Sequence, residues 1–370
     1  APAFECDDST GPFDRTPHIV AEANALAEDG RKVAQGKLTD FIDAAREELA
    51  GAELPVLEGE MRYPQRAGVF TDVYAEIQAC RIPMKAANRR AECLLQRVAE
   101  PLASAAWWLG EEYPAFALDR ACRMLMASHA HDSLGGCGRD EVNRDVEYRF
   151  QQVQTLAGMV TEQSARAIAG RIDASKLAAE DILLVVFNPL ARPYSGVVEA
   201  EIDIEEERGV QGFQVFDLDG RPMPAQVLEH GAFRAIFNHP HEMPRRMPAE
   251  HWRFRFRAED VPACGYRVFR VEPAPGPYRH EGSGLTGPAA MENEHLCVTV
   301  RENGSVDVTD KASGRVLPEQ NLFEDRGEVG DYWIGAFPQR DRIVSSRGCR
   351  AEVAVVEDGP LSTAIEAVLD

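Results

Sequence analysis

Leu125-Met126-Ala127-Ser128-His129-Ala130-His131-Asp132-Ser133-Leu134-Gly135-Gly136-Cys137 joins two segments of helical periodicity, and its reading sets the organisation around it. On its amino-terminal side, Ala117, Ala121, Met124, Leu125 and Ser128 recur at spacings of three and four, which puts them on one helix face. His131 continues that spacing, so it is expected at the exit of an inward-facing stripe, with Asp132 beside it. Pro114 suits the first turn of this helix. Beyond the glycines, Val142, Val146, Phe150, Val153, Ala157 and Val160 mark another helix. Upstream, Ile82, Ala86, Leu94, Leu95, Val98, Leu102, Ala105 and Leu109 mark a first one. Pro101 is expected to kink it, because proline removes a backbone donor. Trp107 and Trp108 fall in this run and read as core or helix-packing residues. Three long amphipathic helices with short connections predict a bundle over residues 51–175.

The pattern changes on both sides. From about Asp181 it becomes alternation broken by turns. Ile182–Phe187 is a buried-strand run ended by Asn188-Pro189, and Gly196–Ile202, Leu296–Val300 and Ala351–Val356 are further strands. Asp219-Gly220, Asn303-Gly304 and Asp358-Gly359 separate strands, as in an antiparallel β-sandwich, expected over 180–370 and running into a strand at its last residues. Toward the amino terminus, Ala3–Cys6 reads as a strand end and Asp7-Asp8-Ser9-Thr10-Gly11-Pro12 as a loop. Helices follow near Pro17–Ala27 and Thr39–Leu49, with Thr39 as N-cap and Leu38, Phe41, Ile42, Ala45 and Leu49 on one apolar face. Residues 1–50 thus read as the last part of an α/β domain.

Composition narrows the function. The net charge of −21 repels phosphate backbones and anionic lipid, so nucleic acid is excluded as a partner. No run of about 18 apolar residues is present, so no membrane helix is expected. Ala1–Asp8 has neither a basic nor a long apolar region and is no signal peptide. Eight scattered cysteines without a CxxC pair are expected as free thiols in a reducing cytoplasm.

By chemistry alone, His129, His131 and Asp132 leave two readings open. They form part of a metal or substrate corner, or the histidines end a helix and bond to backbone carbonyls. A catalytic zinc needs about three protein ligands, and this segment offers two or three.

The stretch 125–137 resembles the histidine–aspartate motif of the glycoside hydrolase family 38 α-mannosidases, in particular their bacterial branch. Arg81-Ile82-Pro83-Met84-Lys85-Ala86-Ala87-Asn88-Arg89-Arg90-Ala91-Glu92 with Ala99-Glu100-Pro101-Leu102 resembles that family's helical-domain signature. Val185–Leu190, Met291–Leu296 and Gly330-Asp331-Tyr332-Trp333 resemble its β-domain signatures, in the same order along the chain. The resemblance implies a multidomain α+β protein: the remnant of an α/β barrel-like catalytic domain over 1–50, a three-helix bundle, then an incomplete antiparallel β-sandwich. It implies a retaining, zinc-dependent hydrolase of α-mannosides, with one Zn2+. His131 matches the metal ligand and Asp132 the neighbour that contacts the sugar. Where eukaryotic members have two adjacent histidines, Ala130 takes the first place, so His129 is expected to be structural. Asp8 matches the general acid/base, with a loop or N-capping aspartate as the other reading. Tyr332 and Trp333 either stack on a sugar ring, as an aromatic of that family's active-site wall does, or are buried aromatics of the β-sandwich. The nucleophile and the other zinc ligands are expected upstream of Ala1, so the chain alone is expected to be inactive. Association into a homo-oligomer is a further implication. The alternative is a non-catalytic carbohydrate-binding or scaffold protein made of a helical bundle and a β-sandwich.

Overall fold

The computed structural model describes residues 11, 13–28, 30–54, 56, 75–175, 177–178, 181–237, 241, 243–277, 281–331 and 335–369. The chain forms two compact units, 1–61 and 62–370.

The first unit carries α1 (Thr16–Leu26) and α2 (Leu38–Glu48). Asn24 fastens the segment between them, with its Nδ2 donating to Val33 O at 2.9 Å and its Oδ1 accepting from Val33 N at 2.8 Å. Helix α2 opens at Leu38, so Thr39 lies inside the first turn and is not its cap. Asp40 does the capping instead, accepting from Lys37 N at 2.8 Å, since a carboxylate is the stronger acceptor for an orphan helix donor. Leu38, Phe41, Ile42 and Leu49, the expected apolar face, are exposed. The expected strand at Ala3–Cys6 lies outside the described residues.

The second unit begins its regular helices with α3 (Ile82–Leu94), which continues through a widened π turn (Leu95–Ala99) into α4 (Glu100–Trp108). Pro101 is the reason for the widening. It brings no N–H, and the turn before it relaxes so that Glu100 N donates to Leu95 O, five residues back. The extra residue also rotates the buried stripe. Met84, Asn88 and Ala91 face inward before the π turn, Leu95 and Ala99 at its two ends, and Leu102, Ala103 and Ala106 after it. Ile82 and Leu109, expected inside, stand exposed at the two ends of this rod, and Trp107 and Trp108 are exposed as well.

Helix α5 (Ala115–Ala127), the single turn and a half of α6 (His131–Gly135) and the long α7 (Asp140–Ala169) complete the bundle. Val146, Phe150, Val153, Ala157 and Val160 of α7 are all buried, as their spacing predicts, whereas Val142 in its first turn is exposed. They pack on Leu118, Ala121 and Leu125 of α5 and on the inward stripe of α3. Each of the larger side chains there contributes roughly 1.5–3 kcal/mol by leaving water.

Strands follow from Ile182. One sheet has the order β1-β7-β3-β4 (Ile182–Asn188, Gly265–Ala274, Gly212–Asp217, Pro222–Met223), and a second has β2-β6-β5 (Tyr194–Glu205, Arg245–Val261, Ala225–Phe237), all antiparallel. Phe213, Val215, Phe269 and Val271 of the first share one core with Ile204, Trp252, Phe254 and Phe256 of the second, which makes the pair a sandwich. Phe213 meets Phe254 at 4.5 Å between ring centroids and Trp252 edge-on at 5.5 Å.

A five-stranded antiparallel sheet, β12-β11-β10-β9-β8 (Val316–Gln320, Val306–Asp310, Leu296–Val300, Ala290–Glu292, Leu285–Gly287), comes next. Two small pairs accompany it, β13 (Glu324–Asp325) with β14 (Val344–Ser345), and β15 (Glu352–Glu357) with β16 (Ala364–Val368). The three glycine turns read from the sequence connect β3 to β4, β10 to β11 and β15 to β16. Strand β16 ends at Val368, so Leu369 follows the strand and does not continue it.

Candidate functional site

The corner at residues 128–138 is built by a break in the helix. Ser128, fully buried, donates its hydroxyl to Met124 O at 3.2 Å. Ala130 then adopts an extended backbone with φ −52° and ψ 132°, and α6 starts afresh at His131. His131 is therefore not one more turn of α5. The interruption changes the phase of the stripe and turns the imidazole outward, with 95% of its side chain exposed.

His129 points the other way. Its Nε2 lies 2.8 Å from Asn88 Oδ1 and 3.4 Å from Glu92 Oε1, and Asn88 Nδ2 donates to the same Glu92 at 3.1 Å. The ring is held by side chains of α3 and not by the backbone carbonyls that chemistry alone suggested, and it serves the fold. His131 has a single polar neighbour among the described residues, Asp132 Oδ1, 3.5 Å from its Nε2. That carboxylate is also approached by Cys137 Sγ at 3.5 Å.

Leu134 seats α6 on the bundle core, and the polar contacts that fix it come from the start of α3. Lys85 Nζ donates to Gly135 O at 2.9 Å and also to Cys80 O. Arg81 Nε donates to Gly136 O at 3.0 Å while its Nη2 pairs with Asp140 at 2.6 Å. Gly136 has φ +84°, and a Cβ there would stand 3.1 Å from Arg81 Cδ, so glycine is needed both for the turn and for the close approach. The stretches 81–92 and 125–137, far apart in sequence, thus meet in space. Burial pushes the Lys85 ammonium below the usual lysine range, and the nearby Cys80 and Cys137 thiols pull it part of the way back.

Of the four expected site residues, the structure brings His131 and Asp132 together. Asp8 and Tyr332 lie outside the described residues. An imidazole beside a carboxylate is donor chemistry that zinc accepts. Yet this corner supplies at most two such groups, and the described residues contain no cluster of three or more His, Cys, Asp or Glu side chains placed to hold a metal. By themselves the described residues do not complete a zinc site.

Lys85 and Arg81 lie within the 81–92 signature, which by itself assigns them no role. A signal for them did exist. Two cations at the opening of a helix sit at the wrong end of its dipole, which hints that they are held there for another partner. The seven described cysteines are free thiols, as expected. No helix among the described residues is long and apolar enough to cross a membrane.

Comparison with known proteins places this corner in a context. Residues 73–168 match the model of the alpha mannosidase middle domain. Over 356 residues the chain is 25% identical to a "Putative mannosylglycerate hydrolase" of Halalkalibacterium halodurans, covering 88% of this chain and 38% of that protein. Among solved structures, an alpha-mannosidase from Enterococcus faecalis superposes with a TM-score of 0.73 at 23% identity, over 95% of this chain and 41% of the other. A glycosyl hydrolase family 38 protein from the same organism gives 0.71 at 23% identity, over 96% and 42%. The chain thus spans about two fifths of the length of the relatives it matches.

Proposed function

We propose that this chain, a relative of the glycoside hydrolase family 38 α-mannosidases whose residues 73–168 form an alpha mannosidase middle domain, supplies one corner of the active site of a retaining α-mannosidase. One observation carries the reading: His131 and Asp132 stand side by side and exposed on that domain, with Cys137 Sγ as the one further group bonded to the Asp132 carboxylate among the described residues. His129, two residues away, shows what a structural histidine looks like in the same loop.

In this reading His131 is one ligand of a zinc ion, and the remaining ligands and the nucleophilic carboxylate come from sequence outside these 370 residues. The coverage of about two fifths of the relatives' length supports that division. Bound there, the metal would clamp sugar hydroxyls and favour ring distortion toward the oxocarbenium-like transition state. Asp132 accepts hydrogen bonds from the same sugar. Asp8 protonates the leaving oxygen while a second carboxylate, about 5–5.5 Å away, attacks the anomeric carbon. Asp8 then deprotonates the water that releases mannose, and Tyr332 forms part of the wall around the ring. The free thiols support a cytoplasmic setting, and mannosylglycerate is one substrate within the class.

The test is turnover of p-nitrophenyl α-mannoside by the full-length protein. His131→Ala is expected to lower bound zinc and abolish turnover, and these 370 residues alone are expected to be inactive. Stoichiometric zinc with near-normal kinetics in His131→Ala would rule the assignment out. Mannoside binding by the full-length protein that is indifferent to zinc and accompanied by no hydrolysis would favour a carbohydrate-binding role instead.

A further inference from the structure

Helix α6 has five residues and none of them is buried. A helix that short does not hold itself in water, because it makes too few internal bonds to repay its nucleation. Its internal bonds include Leu134 N to Ala130 O at 2.9 Å and Gly136 N to Asp132 O at 3.2 Å. Its direction must be set from outside. One outside contact is apolar, the packing of Leu134 on the bundle core. The polar ones converge on its carboxyl end, where Lys85 and Arg81 donate to consecutive main-chain oxygens, those of Gly135 and Gly136, and Cys80 Sγ lies 3.7 Å from the latter. Two cations at the carboxyl end of a helix also complement its dipole. Both cations belong to the start of α3, whose Met84 and Ala91 are locked in the bundle core. The bundle therefore orients the His131–Asp132 pair through the Leu134 side chain and through these main-chain oxygens.

We propose that Lys85, seconded by Arg81, is a positioning residue that sets the aim of His131 and Asp132 at the sugar. This rests on the mannosidase reading above. Neither cation needs to meet substrate or metal. Lys85 bridges Gly135 O and Cys80 O, the two chain segments whose separation decides where α6 points. Methionine keeps the aliphatic length and loses both bonds, whereas arginine keeps a cation that can reach the same oxygens.

Lys85→Met and Lys85→Arg are to be made in the full-length protein and compared with His131→Ala. Amide exchange at Leu134 and Gly136 is expected to speed up about tenfold or more in Lys85→Met, with the bundle amides of α7 unchanged. kcat/KM on p-nitrophenyl α-mannoside is expected to fall about tenfold or more at unchanged melting temperature, and Lys85→Arg is expected to restore most of both. Unchanged exchange at Leu134 and Gly136, or faster exchange with full turnover, overturns the proposal. If Lys85→Met does not fold, Arg81→Gln, which removes the bond to Gly136 O, is judged by the same two readouts. Full turnover in His131→Ala strikes at the mannosidase reading, whereas the exchange result bears on the clamp alone.

Discussion

Two aspartates, each followed within a few residues by a glycine turn, are used in opposite ways. Asp217, at the end of β3, is 3% exposed and its oxygens are fully occupied. Its Oδ1 accepts from Asp219 N at 3.0 Å and Arg221 N at 2.8 Å, and its Oδ2 faces the guanidinium groups of Arg221 at 3.4 Å and Arg267 at 3.5 Å. Burial alone would raise its pKa, but the donors of Arg221 and Asp219 outweigh that and hold it below the ordinary range. Asp132 lies 72% exposed, with an imidazole and a thiol as its neighbours. The first carboxylate is consumed by the fold and the second is presented by it. The same contrast separates His129 from His131. A polar group whose bonding capacity the fold leaves unspent is the one open to a ligand.

That contrast can be broken by substitution. Asp217→Ala should cost the most, about 3 kcal/mol, because it leaves main-chain donors and two arginines without their buried acceptor. Urea unfolding measures it. Since the folded pKa of Asp217 is depressed, its contribution is complete above the unfolded value of about 4 and is lost as pH falls through the folded one. The alanine variant should accordingly lose less stability than wild type over that acid range.

Gly136→Ala comes next, at about 1–2 kcal/mol in thermal unfolding. It forces a left-handed backbone on a residue with a side chain and crowds Arg81. Asn88→Ala should cost about 1 kcal/mol, by removing the bond to His129 from a buried position. His131→Ala should change stability by no more than about 0.5 kcal/mol, as is usual for an exposed side chain. Destabilisation by His131→Ala comparable to that of Asp217→Ala would erase the distinction.

Much of the architecture was readable from local pattern. The α7 stripe from Val146 to Val160, the Ile182–Asn188 strand and the three glycine turns depend on side-chain periodicity and backbone freedom, which neighbouring residues settle among themselves. The phase of the helices was less readable. Pro101 announces a disturbance, but whether it kinks the rod or widens a turn depends on what the rod packs against. His131 was expected on an inward stripe because the spacing continues through 128, and only the break at Ala130 turns it outward. Sheet order was not readable at all, since β1 pairs with β7 some 80 residues later and nothing local selects that partner.

The sequence by itself determined the kinds of elements, the glycine turns and the pairing of a histidine with an aspartate at one loop, because these follow from short-range sterics and from chemistry written in adjacent residues. Tertiary structure alone decided which histidine faces solvent, and that Lys85 and Arg81 reach across about 50 residues to the carbonyls beneath it. The physical reason is that a side chain's role is fixed by the partners left to it once distant segments have packed, and those distances are not encoded in any local spacing.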